Sequence, residues 1–231
     1  MNLPNALTVG RIAATPLIAL LPFASSWELK LAGFLLYLVA AISDYYDGVL
    51  ARTRGLVTDL GKLLDPLADK LLLLGTLVPI YLLMAGVGTP LSMSFVTPWG
   101  RAAVPLWVVL VVLGRELVMT IFRQAAARRG VIIAAIGPAK WKMGFQSVWV
   151  GASYFWFAAR DAQFHYLWVG PWWRAFAQFN GIVGVASMWI AVALTIYSLL
   201  LYFARYGAVF AGRGARDAGR VRPPADPPRN P

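Results

Sequence analysis

Cysteine is absent from the 231-residue chain, so disulfides are excluded and the redox compartment cannot be read from the sequence. Charge is also scarce: 13% of residues are Asp, Glu, Lys or Arg, against 59% that are hydrophobic. Residues 12–27, 71–100, 143–159 and 175–204 carry no formal charge. Several of these runs reach or approach the roughly 20 residues needed to cross a bilayer. They lack a polar face, which argues against a large soluble helical core. The composition therefore reads as an all-α, polytopic membrane protein, and the chain shows no internal repeat.

Acidic residues are in the minority, ten against 21 Lys and Arg, for a net charge of +11. The basic residues are unevenly placed. Arg52, Arg54 and Lys62 form one group, Arg123, Arg128, Arg129, Lys140 and Lys142 a second, and the tail over 205–229 a third. The alternate loops hold only Lys30, Arg101, Arg160 and Arg174. The positive-inside rule puts the three groups in the cytoplasm. Anionic lipid headgroups are a second partner for them. No nucleic-acid motif accompanies the charge, so no nucleic-acid partner is expected.

Six transmembrane spans are predicted, at about residues 7–23, 29–52, 61–85, 102–123, 138–159 and 181–206. An even count puts both termini on one side, and the basic tail makes it the cytoplasmic side. Trp99, Trp107, Trp156, Trp168, Trp172 and Trp173 fall near the opposite ends and read as an interfacial belt. Residues 160–180 read as a partly interfacial external loop. Residues 1–210 form the membrane domain, and the Pro-, Gly- and Arg-rich residues 211–231 read as a disordered cytoplasmic tail. The first apolar stretch lacks a preceding basic cluster, so it reads as a span rather than a signal peptide, with Arg11 inside it.

The densest chemistry lies in DYYDGVLARTRGLVTDLGKLLDPLADK, residues 44–70. Asp44 and Asp47 are spaced i,i+3, with Gly48 and Ala51 continuing the same helix face. Gly61, Asp65 and Asp69 are spaced i,i+4,i+8, again one face. Two helices thus present two carboxylates each toward a common point. Carboxylates at membrane depth are costly and call for a function and a counter-charge. Hard oxygen donors of this kind suit Mg²⁺ or Mn²⁺, and two such ions suit phosphate chemistry. Gly48 and Ala51 leave a groove beside the acids, with Arg52 at its cytoplasmic end. Asp59 lies outside both pairs and reads as a helix cap or solvated charge.

At its fixed positions the segment reads D-x2-D-G-x2-A-R-x8-G-x3-D-x3-D, through Asp44, Asp47, Gly48, Ala51, Arg52, Gly61, Asp65 and Asp69. This resembles the signature of the CDP-alcohol phosphatidyltransferase family of membrane phospholipid enzymes. The resemblance implies a six-helix membrane bundle in the cell (inner) membrane, two divalent ions and a homodimer. It implies Asp44, Asp47, Asp65 and Asp69 as metal ligands, with Asp69 also the catalytic base. Gly48, Ala51, Arg52 and Gly61 would line the site of the CDP-linked lipid.

Two further segments bear on the acceptor. GRELVMTIFR places Arg115 and Arg123 on roughly one helix face, and KWKMGFQ contributes Lys140, Lys142 and Gln146. Cations inside a span meet anions or cavities, and a cationic pocket suits a phosphorylated acceptor. A pair between Arg115 and Glu116 is the plainer alternative. With NLPNALTVGR, these segments resemble the phosphatidylglycerophosphate synthases of the family. That implies CDP-diacylglycerol and glycerol 3-phosphate as substrates, with Arg115, Arg123, Lys140 and Lys142 on the acceptor phosphate. Met143 departs from the Thr usual there. Transferases of the same family that make cardiolipin, or use inositol phosphate or serine, stay open. A prenyltransferase with paired Asp motifs would need more spans and a different first motif. A cation channel leaves Arg52 and the Gly/Ala groove unexplained.

Overall fold

The computed structural model describes residues 3–53, 58–89, 91–129 and 137–206. Among them are six α-helices: α1 (Leu3–Leu20), α2 (Trp27–Thr53), α3 (Asp59–Met84), α4 (Leu106–Ala127), α5 (Gly137–Tyr166) and α6 (Pro171–Tyr206). A 3₁₀ turn, Leu21–Phe23, follows α1, where Pro22 cannot donate to a continuing helix. A short antiparallel hairpin of β1 (Phe95–Thr97) and β2 (Gly100–Ala102) lies between α3 and α4. The tail predicted to be disordered, 211–231, lies outside the described residues.

Three stretches, Asn5–Phe23, Leu64–Met84 and Pro171–Tyr206, are long and apolar enough to cross a membrane. The other three helices carry most of the charged residues discussed below. Leu17, Val39, Leu110, Leu117, Phe179 and Leu200 are each more than half exposed on the bundle surface. So much outward apolar side chain marks a membrane protein, because water would oppose its exposure.

The core is held by aromatic side chains whose polar ends find backbone carbonyls. The Tyr154 hydroxyl lies 3.1 Å from both Ile18 O and Gly75 O and donates between them, tying α5 to α1 and α3. Tyr37 of α2 stacks on Tyr154 at 5.6 Å and donates to Ser147 O at 3.2 Å. At Gly75 an added Cβ would stand 2.8 Å from the Thr15 methyl, so α1 and α3 cross at a glycine.

Three features depart from the sequence expectation. Residues 160–180 are mostly helical: α5 runs on to Tyr166 and α6 begins at Pro171. Asp161 within this helical stretch is neutralised by tertiary contact, since buried Lys30 donates to it. The hairpin was not expected. It rests on α6 so closely that a Cβ on Gly181 would fall 1.9 Å from Val96 O, and one on Gly184 2.4 Å from the Phe95 ring. Trp156 is not part of an interfacial belt. It is buried in the core and donates from Nε1 to Met93 O at 3.0 Å.

Candidate active site

The carboxylates of α2 and α3 meet against a polar face of α1. Asn5, Thr8, Arg11 and Thr15 are spaced to share one side of that helix, and all four are buried. The first three reach the signature region. Asn5 exchanges hydrogen bonds with the Thr58 hydroxyl, at 2.9 and 3.0 Å. Thr58 is the N-cap of α3 and accepts from Gly61 N at 3.0 Å, satisfying an otherwise orphan helix donor. The cap is therefore Thr58, not Asp59, which falls at the first helical position. Thr8 donates to Asp65 Oδ1 at 2.8 Å. Arg11 donates to Asp44 Oδ1 and, at 3.0 Å, to Asp69 Oδ1.

One guanidinium thus joins an acid of α2 to an acid of α3. Its side chain is 1% exposed, while those of Asp44 and Asp69 are 33% and 50% exposed. The cation is sunk into the bundle and the acids open outward. They open onto a cavity of about 110 Å³ whose walls include Tyr37, Thr76, Met143, Gln146 and Ser147. Gln146 Oε1 is shielded from solvent and has no hydrogen-bond partner among the described residues. Met143, the residue that departs from the usual Thr, lines this cavity.

Gly61 is buried, and a Cβ there would stand 2.9 Å from Asn5 Oδ1 and 3.2 Å from Thr58 Oγ1. The absence of a side chain at this signature position makes room for α1 and the helix cap. Asp47, Gly48, Ala51 and Arg52 all fall on α2, downstream of Asp44, and their side chains lie outside the described residues.

Two of the four expected acceptor cations, Arg115 and Lys142, form a second cluster, centred on Glu116. Arg115 Nη1 donates to Glu116 Oε1 at 2.9 Å, and Lys142 Nζ donates to the same oxygen. Arg115 Nη2 also donates to Ser198 Oγ at 3.2 Å. Arg115 and Lys142 are both buried, at 7% and 4% exposure. Arg123 lies outside this triad, 5.8 Å over the Tyr202 ring, with Nη2 3.5 Å from the Tyr202 hydroxyl. The side chain of Lys140 lies outside the described residues. Lys142 precedes Met143 on α5, but neither it nor Arg115 or Glu116 lines the carboxylate cavity.

Residues 1–197 match the family described as CDP-alcohol phosphatidyltransferase. The chain belongs to that family. It is 30% identical over 208 residues to a CDP-diacylglycerol–glycerol-3-phosphate 3-phosphatidyltransferase of Arabidopsis thaliana, covering 87% of this chain and 78% of the relative. It is 35% identical over 165 residues to the enzyme of that name in Bacillus subtilis, covering 65% of this chain and 75% of the relative. It is also 30% identical over 210 residues to a cardiolipin synthase (CMP-forming) of Oryza sativa, covering 87% of this chain and 56% of that longer relative.

CDP-alcohol phosphatidyltransferases use divalent metal ions. Among the described residues no three Asp, Glu, His or Cys side chains converge tightly enough to hold an ion. The donor chemistry nonetheless fits one. Asp44, Asp65 and Asp69 supply hard carboxylate oxygens, those of Asp44 and Asp69 partly open to the cavity, and among the described residues these acids outnumber the guanidinium that joins two of them. Sequence reasoning found the acids and missed the face that orients them. The signal was present: Asn5, Thr8 and Arg11 recur at i, i+3, i+6 in an otherwise apolar helix.

Proposed function

We propose that this protein transfers the phosphatidyl group of CDP-diacylglycerol to glycerol 3-phosphate, releasing CMP and forming phosphatidylglycerophosphate. The observation that carries the reading is the meeting of Asp44 and Asp69 from two helices on Arg11, at a cavity that Met143 and Gln146 of α5 also line, with the buried cations Arg115 and Lys142 gathered separately on Glu116. The acidic side suits a divalent cation and a pyrophosphate, and the basic side suits an acceptor phosphate. The names of the Arabidopsis and Bacillus relatives support the same substrates.

In this reading Asp44, Asp47, Asp65 and Asp69 would hold two Mg²⁺ or Mn²⁺ ions. When bound, such ions neutralise phosphate charge and polarise phosphoryl oxygens. Gly48, Ala51 and Arg52 line the groove for the CDP-lipid, with Gly61 fixing the helix start beside it. The acceptor hydroxyl oxygen attacks the phosphorus that bears diacylglycerol, and the bond from that phosphorus to the oxygen of CMP breaks. Asp69 takes the hydroxyl proton, and CMP leaves with the electron pair of the broken bond. Arg115, Arg123, Lys140 and Lys142 hold the acceptor phosphate, which shares or displaces Glu116. Gln146 Oε1 accepts from an acceptor hydroxyl.

Residues 1–210 act as one membrane domain of six spans, with both termini and the site cytoplasmic. There water-soluble CMP departs while the acyl chains stay in the bilayer. The protein works as a homodimer in the cell (inner) membrane.

The test is an acceptor panel on purified protein with CDP-diacylglycerol and Mg²⁺, reading CMP release and the lipid product. Glycerol 3-phosphate is expected to outpace phosphatidylglycerol, inositol phosphate and serine. Preference for phosphatidylglycerol would move the assignment toward the rice cardiolipin synthase. No CMP with any acceptor would sink the transferase reading.

A further inference from the structure

We infer that Arg11 is a built-in counter-cation: it holds the carboxylate site together without divalent ions and opposes their entry. The inference rests on the metal-dependent reading of that site. Three observations lead to it. Arg11 is buried on α1, which carries none of the signature acids. Its Nη1 meets one oxygen of Asp44 on α2 and one of Asp69 on α3, so one group spans the two helices. Its neighbours on that face are also engaged in ordering the site, Thr8 with Asp65 and Asn5 with the cap of α3.

The physics sets a sign. Acids gathered in a protein interior repel one another unless a cation stands among them. Without divalent ions Arg11 supplies that charge. When a divalent ion binds the same acids, it must approach a fixed positive charge and take oxygens that Arg11 already engages, so Arg11 lowers its affinity. Arg11 is therefore a positioning residue that trades metal affinity for a preassembled site. A purely structural arginine would stabilise the metal-free and metal-loaded protein alike.

Thermal unfolding of the full chain in detergent, with and without saturating Mn²⁺, separates these cases. Arg11→Met removes the charge at similar length, and Arg11→Lys keeps it on a group less able to bridge two carboxylates. Without metal, Arg11→Met is expected to unfold roughly 6–12 °C below wild type, and Arg11→Lys to fall between them. With Mn²⁺ most of the deficit is expected to vanish, because the ion replaces the missing charge. Direct Mn²⁺ titration by electron paramagnetic resonance is expected to show binding to Arg11→Met at least about tenfold tighter than to wild type. An equal deficit in both buffers would overturn the inference. So would unchanged or weaker Mn²⁺ binding in the variant. If Arg11→Met is recovered only when purified with Mn²⁺, that supports the inference; if it is recovered in neither buffer, Arg11→Lys decides by the same comparison. Wild type that neither binds nor is stabilised by Mn²⁺ or Mg²⁺ would overturn the metal reading itself. Metal binding with an equal Arg11 deficit overturns the inference alone.

Discussion

Two charged clusters, of which the acidic one opens onto the cavity, are built as opposites. On one side, among the described residues, a single cation, Arg11, holds two acids from two helices. On the other a single acid, Glu116, holds two cations, Arg115 from its own helix and Lys142 from the next. In each the minority charge sits at the centre and the majority charge is left in excess. A balanced buried pair would satisfy itself and offer nothing to a ligand. The excess on the acid side suits cations and the excess on the basic side suits phosphate. The two clusters also differ in what surrounds them. Asp44 and Asp69 are partly exposed, whereas Arg115 and Lys142 are buried against α6 and α4. The acids are ready to be approached, while the cations must be drawn from Glu116 by a stronger anion.

The widest break between the clusters comes from neutralising an acid. Asp69→Asn keeps the size of the side chain and removes its ability to take a proton. Turnover is expected to fall about 10²–10⁴-fold, the usual loss of general-base catalysis. Binding of CDP-diacylglycerol in the presence of Mg²⁺ is expected to survive. Asp44→Asn, which also removes the negative charge facing Arg11, is expected to lose turnover as deeply. Single-turnover CMP release on folded protein checks both, and near wild-type rates in either would remove the acids from the chemistry.

Losses on the basic side are expected to be smaller and of another kind. Lys142→Ala or Arg115→Ala removes one charge-assisted hydrogen bond, worth about 1.5–3 kcal/mol. That predicts a KM for glycerol 3-phosphate raised roughly tenfold to hundredfold, with affinity for the CDP-lipid nearly constant. Each variant also leaves Glu116 with one partner fewer, so thermal unfolding is measured alongside. A loss of kcat with unchanged KM would mean that the cations serve packing or topology rather than the acceptor.

A third perturbation asks whether the far end of the bundle matters to either cluster. Gly181→Ala drives a methyl into Val96 O of the hairpin. Overpacking of this kind costs about 1–3 kcal/mol. The unfolding temperature is expected to drop, while kcat and both KM values of the folded fraction hold. Altered acceptor KM would show that the hairpin end communicates with the site.

These contrasts were unevenly legible in the sequence. The helices were readable because uncharged runs leave few other folds, and the acids because their spacing fixes a face. The spacing of Asn5, Thr8 and Arg11 marks a polar face on a mostly apolar helix, but what that face orders is not legible until α2 and α3 are placed beside it. Arg11 read as a stray charge within a span; in the fold it is the centre of the acidic cluster. The pairing of Arg115 with Glu116 stood as an open alternative, and the convergence of Lys142 on that oxygen needed the packing of α5 near α4. Lys30 and Asp161 were illegible as a pair for the same reason: they are separated by 131 positions.

The finest test compares one neutral hydroxyl on each side. Thr8 donates to Asp65 in the acidic cluster, and Ser198 accepts from Arg115 in the basic one. Thr8→Val and Ser198→Ala each delete that bond with little change in volume, and Ser198→Ala also deletes the hydroxyl's donation to Thr195 O within α6. A single hydrogen bond nets about 1 kcal/mol, or roughly fivefold in an equilibrium constant, and somewhat more when one partner is charged. If the clusters divide the work as their excess charges imply, the two losses fall on different parameters. Thr8→Val frees one oxygen of Asp65 to turn, so the Mg²⁺ concentration for half-maximal activity is expected to shift a few-fold while the acceptor KM stays fixed. Ser198→Ala loosens Arg115, so the acceptor KM is expected to rise a few-fold while the Mg²⁺ dependence stays fixed. The comparison is carried by the crossed pattern rather than by either magnitude, and it needs only steady-state rates over a grid of Mg²⁺ and glycerol 3-phosphate concentrations. Parallel shifts in both parameters from either variant would mean that the clusters act as one network joined through α5, and that the division of labour drawn from their charges is wrong.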